Sequence, residues 1–98
     1  MSNIKWIQEW YLSQCDGEWE HDYGIRIRTV DNPGWNLEID LEFTDLENID
    51  IPWTLEDKDE NDWYGFKIEN HIFSASGDSG KLEFLLKKFI EIAEKHKK

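Results

Sequence analysis

Between Ile25 and Phe43 apolar residues recur at every second position on both sides of Asp31-Asn32-Pro33-Gly34, a dense run of turn formers. A period of two cannot lie on one face of a helix, so this stretch must form a β-hairpin. A three-residue loop Asn32-Pro33-Gly34, with Gly34 in the left-handed region, predicts the pairs Asp31/Trp35, Thr29/Leu37, Ile27/Ile39 and Ile25/Leu41. The same register sets Arg28 opposite Glu38 and Arg26 opposite Asp40. Slipping it by one residue would mix charged and apolar side chains on both faces.

A hairpin with one apolar face needs a cover. Residues 3–14 read as an amphipathic helix, with Asn3 as cap and Ile4, Ile7, Trp10 and Tyr11 at helical spacing; Asp16-Gly17 ends it, and Glu18 to Gly24 reads as a polar, solvated segment. A second strand pair is expected at Ile51 to Glu56 and Trp63 to Glu69, joined by the acidic loop from Asp57 to Asp62, with Pro52 marking an edge or strand start. A short fifth strand is expected around His71 to Ser74. The closing helix runs from Ser79 to Lys95, capped by Asp78 or Ser79, with Leu82, Leu85, Leu86, Phe89, Ile92 and Ala93 on one stripe and Lys95, Lys97 and Lys98 at its negative end. The expected fold is α+β: one domain over residues 1–98, an antiparallel sheet of four or five strands covered by an N-terminal and a C-terminal helix.

Charge narrows the partners. The chain has 98 residues with 11 Lys+Arg against 22 Asp+Glu, a formal net charge of −11, which disfavours nucleic acid and anionic membrane and favours a basic partner. From Ser79 onward six lysines and three glutamates give +3, leaving −14 for residues 1–78. A single cysteine, Cys15, allows no intrachain disulfide and suits a reducing cytosol. No secretory signal or membrane-spanning run is visible, so a cytoplasmic protein is expected, as a monomer or weak homo-oligomer.

Few residues suggest chemistry. Asp16, Glu18, Glu20 and Asp22 alternate as in a calcium loop, but His21 stands where glycine is needed and Ile27 where a bidentate glutamate belongs. Cys15, His21 and His71 lack zinc-site spacing. Cys15 with His21 would be the nucleophile and base of a small enzyme built on Cys15 to Asp22, yet a lone cysteine at a helix end reads better as a small buried hydrophobe. No phosphate loop, Gly-x-Ser-x-Gly or His-Glu-x-x-His motif is present. The expectation is therefore no catalytic residue, no metal and no cofactor.

Of six tryptophans, Trp6, Trp10 and Trp53 read as core, whereas Trp19, Trp35 and Trp63 sit at loops or strand starts where a ring can be half exposed. Those three, with Asp57, Asp59, Glu60 and Asp62 in a loop holding only Lys58 as counter-charge, are the candidate contact residues. A small-ligand-binding module lined by tryptophans stands, with the small enzyme, as an alternative to a partner-binding protein.

Trp10-Tyr11, Gln14-Cys15-Asp16-Gly17-Glu18-Trp19-Glu20-His21, Tyr23-Gly24, Asp31-Asn32-Pro33-Gly34-Trp35 and Ile39-Asp40-Leu41 together resemble the immunity protein 53 family of bacterial polymorphic toxin systems. The resemblance is strongest over residues 6–43, and Gly77-Asp78 before a Leu/Phe helix agrees with it. It implies a small cytosolic protein that binds and blocks a cognate toxin domain, and it brings no catalytic residues with it.

Overall fold

The computed structural model describes residues 2–96. Helix α1 (Asn3–Gln14) and a single turn α2 (Trp19–Asp22) precede strands β1 (Ile25–Val30), β2 (Gly34–Asp40), β3 (Ile51–Asp59), β4 (Asp62–Glu69) and β5 (Ile72–Asp78), and helix α3 (Leu82–Lys95) closes the chain. The strands form one antiparallel sheet in the order β1-β2-β5-β4-β3, the α+β fold expected. Inward-facing Leu37 and Ile39 on β2, Phe73 and Ala75 on β5 and Ile68 on β4 meet Leu85, Leu86 and Phe89 of α3 and Ile7 of α1 in one core. Each fully buried Leu or Phe there contributes about 1.5–3 kcal/mol. This burial holds α3 on β2 and β5, with α1 packed beside α3.

The hairpin forms, but its register differs from the expected one by two residues. Ile25 pairs with Ile39, Ile27 with Leu37, Arg26 with Glu38 and Arg28 with Asn36, while Val30 and Gly34 close the loop Asp31-Asn32-Pro33. A shift of two preserves the faces, so the apolar side still points at the core. The reason lies outside the hairpin. Gly34 is a strand residue against β5, where an added Cβ would stand 2.5 Å from the Gly77 carbonyl oxygen; it is needed for close approach, not for a left-handed turn. Gly34→Ala should therefore lower stability by about 1–3 kcal/mol, read as a fall in denaturation midpoint. An unchanged midpoint would mean that β2 and β5 separate without cost.

Other boundaries move for local reasons. Ser2, rather than Asn3, caps α1 by accepting the Lys5 N–H. The acidic loop is mostly strand, because β3 and β4 continue to Asp59 and Asp62 and leave only Glu60-Asn61 as the turn. Pro52 does lie on an edge strand. The fifth strand is longer than expected and central, because its small residues Ser74, Ala75, Ser76 and Gly77 fit between β2 and β4. Asp78 ends that strand, and α3 starts three residues later than expected, at Leu82. The carboxylate of Asp78 accepts the backbone N–H groups of Trp63 and Gly80 and the Lys81 ammonium, which also holds Asp62 at 2.8 Å. Trp53, expected in the core, is 50% exposed and lies over Gly65 on the face away from the helices. Lys97 and Lys98, expected at the end of the last helix, lie outside the described residues.

Candidate functional site

The polar segment after α1 is an ordered clasp. At Gly17 (φ 95°) the chain enters the left-handed region, which glycine adopts without steric cost. The Asp16 carboxylate then accepts the N–H groups of Glu18 and Trp19, both at 2.9 Å, while Glu20 reaches back to the N–H groups of Asp16 and Gly17 at 3.0 and 2.9 Å. The two carboxylates thus close the segment reciprocally, each accepting backbone N–H groups from the other's end of it. Two carboxylates that resembled calcium ligands are thus directed at their own backbone. The Cys15 thiol donates to the Tyr11 carbonyl at 3.3 Å.

Trp19 was expected to be half exposed and is buried, at 5% exposure. Its ring stands edge-on to Trp10 and Tyr11 and tilts against Tyr23, and its indole N–H donates to the Glu42 carbonyl at 2.9 Å. Asp40 ties the same segment to the sheet. It accepts the Gly24 N–H at 2.9 Å and both arms of the Arg26 guanidinium at 2.8 and 3.1 Å. Arg26 therefore serves Asp40 and also Glu38, at 3.3 Å, and Arg28 has no part in this pairing.

Several of these acids titrate low. The N–H groups of Trp19 and Glu18 hold Asp16 below its ordinary range, and Glu20 is lowered by its own N–H together with those of Asp16 and Gly17. At Asp40 burial opposes ionisation most strongly, but Arg26 and the Gly24 N–H together outweigh it and the carboxyl stays depressed. Lys81 lowers Asp78. A depressed folded-state pKa stabilises the fold above the unfolded value and loses that contribution as pH falls through the folded one. The melting temperature should hold near neutrality and fall below about pH 4. Asp40→Asn should flatten that fall, and an identical acid profile in the variant would remove Asp40 from the account.

The clasp supports an exposed aromatic that the sequence did not single out. Just beyond β2, Phe43 has φ 63°, an uncommon conformation for a bulky residue, and is 73% exposed. Its N–H donates to the Glu47 carboxylate at 2.9 Å, and its ring meets Tyr23 edge-on at 6.0 Å. Beside it lies a half-open hollow of about 310 Å³, lined by Trp19, Tyr23 and Phe43 and by the carboxylates Asp16, Glu18 and Asp22. Aromatic faces with carboxylates around them suit a cationic side chain, since both attract an ammonium or guanidinium. A second hollow of about 290 Å³ runs between α1 and α3 beside Trp6 and Trp10. Both of those rings pack edge-on against Phe89, and Trp6 donates to Glu94.

The other candidate residues gather at the opposite end of the sheet. Trp35 is part-buried on the helix side, with its indole N–H on the Ser79 carbonyl at 2.9 Å. Trp63, also part-buried, pairs with Asp57 across β3 and β4. Asp57, Asp59 and Glu60 are exposed, although Asp59 accepts the Asn61 N–H at 2.7 Å. Asp62 is not unpartnered as expected, because Lys81 holds it. Gly34, beside this group, and Asp40, beside Phe43, are six residues apart on β2, about 20 Å. Trp19 is thus not part of one patch with Trp35 and Trp63.

Among the described residues no group of three or more His, Cys, Asp or Glu is placed to hold a metal ion, and no helix is long and apolar enough to cross a membrane. The family model described as immunity protein 53 matches residues 4–94. No curated protein and no solved structure matches the chain.

Proposed function

The chain belongs to the immunity protein 53 family, and from that membership we propose that it binds a cognate toxin domain in the cytosol and neutralises it by occupancy, without metal, cofactor or turnover. The observation that carries the docking site is Phe43. A ring held in solvent on a left-handed backbone has no folding role that explains its exposure, and it sits beside carboxylates suited to a basic surface. Phe43 and Tyr23 serve as the apolar anchor, Glu18 and Asp22 as its charged rim. Asp57, Asp59 and Glu60, at the far end, add to the negative field that steers a cationic partner. Trp35 and Trp63 border that end and offer a secondary contact.

The test uses a cognate toxin domain as the partner. Inhibition should saturate at equimolar protein and be indifferent to chelator, and association should slow as salt rises. Converting Asp57 and Glu60 to Lys should slow association further and weaken its salt dependence, with the fold intact because both side chains are exposed. Substoichiometric inhibition with modification of the toxin would replace this reading with an enzymatic one based on Cys15 and His21.

A further inference from the structure

The two edges of the sheet are built differently. Edge strand β3 carries Pro52, irregular register between Ile51 and Thr54 and again between Asp57 and Asp59, and a row of acids, the devices that keep an edge from pairing further. Edge strand β1 has none of these. Its register against β2 is unbroken over all six residues, and positions 26–29 are exposed.

The direction of its free backbone groups follows from the ladder. Asp40 donates its N–H to the Gly24 carbonyl, which marks Gly24/Asp40 as a hydrogen-bonded pair. In an antiparallel ladder such pairs alternate, so Arg26/Glu38 and Arg28/Asn36 are bonded across β1 and β2. Ile25, Ile27 and Thr29 then aim their N–H and C=O groups away from β2, at the open edge. On the helix side of that edge Ile27 is 45% exposed, and a hollow of about 370 Å³ is lined by Ile7, Gln8 and Tyr11 of α1 and by Ile25. On the other side stand Arg26 and Arg28, the only arginines in the chain. Arg26 is engaged by Asp40 and Glu38, while among the described residues Arg28 makes no ion pair.

The geometry points to β1 as a docking edge that takes an extended segment of the partner protein as a sixth strand, with apolar side chains beside Ile25 and Ile27 and carboxylates beside Arg28. Strand β2 already shows the complement that β1 accepts, since Leu37 and Ile39 lie on one face and Glu38 and Asp40 on the other. A second copy of this chain is a poor occupant. Antiparallel self-pairing about Ile27 would set Arg26 against Arg28, between two molecules each carrying −11. This inference rests on the reading that the chain docks a protein, but it concerns the free backbone groups of β1 and not the Phe43 ring.

A capped peptide copying residues 34–41 supplies the probe, and amide–water exchange followed by NMR supplies the readout. Excess peptide should slow exchange at Ile25, Ile27 and Thr29 roughly tenfold and leave Arg26 and Arg28 unchanged. The same peptide with lysines in place of its two acids should have no such effect. In Ile27→Lys, which should stay folded with a modest fall in melting temperature because the side chain is 45% exposed and otherwise covered, the response to the acidic peptide should vanish. No slowing at the three amides, or equal slowing by the lysine peptide, overturns the proposal. Protection that grows with protein concentration and no peptide also overturns it, in favour of self-association. Toxin binding that persists alongside any of these results would leave the docking function standing and remove only the edge.

Discussion

Trp19→Ala should lower folding stability by about 3–5 kcal/mol, the range for removing a large buried aromatic. The ring is 5% exposed, it contacts Trp10, Tyr11 and Tyr23, and it supplies the only donor that reaches the Glu42 carbonyl across 23 residues of chain among the hydrogen bonds described. Its loss would open a cavity where α1, the clasp and the end of β2 meet. Trp19→Phe separates the two contributions, because it keeps most of the packing and loses the hydrogen bond, worth about 0.5–1.5 kcal/mol. Denaturant midpoints of the two variants give the comparison. An alanine variant as stable as the parent, but unable to bind toxin, would return Trp19 to the contact surface that its loop position suggested.

The burial of Trp19 is not legible from its neighbours in sequence. A tryptophan in a run of Asp, Glu and His looks solvated, because local polarity is the only cue available. What buries it are Trp10 and Tyr11 on a neighbouring helix and Tyr23 beyond a turn, which come together only after Asp16 and Glu20 close the clasp. Periodicity did much better for the hairpin: both faces were legible from alternation alone, since parity survives a two-residue shift. The shift itself was not legible. It is imposed by Gly34 against Gly77, a contact 43 positions away in sequence that no local turn rule contains. Asn70 and His71, both at positive φ, likewise form the two-residue turn between β4 and β5 without the glycine that usually announces one. Of the site, the acids at Asp57 to Glu60 could be named from charge, but Phe43 could not, because its backbone conformation is set by the path from Leu41 to Glu47.

Phe43 carries the largest effect expected on binding, and its backbone supplies an internal control. Phe43→Gly and Phe43→Ala both delete the ring, so both should weaken toxin binding by about 2 kcal/mol or more, roughly thirtyfold in Kd. Their stabilities should differ. At φ 63° a Cβ costs about 1–2 kcal/mol, which alanine retains and glycine releases. Against this, glycine adds about 0.4–1 kcal/mol of unfolded-chain entropy, and both variants lose the edge contact with Tyr23. The glycine variant should therefore match or exceed the alanine variant in melting temperature and stay within about 1 kcal/mol of the parent. A docking anchor predicts this combination, lost affinity with stability kept, because the strain at Phe43 then serves the complex and not the fold. A glycine variant that binds like the parent would move the anchor to the Trp35 and Trp63 end. One that unfolds would make Phe43 a structural residue despite its exposure.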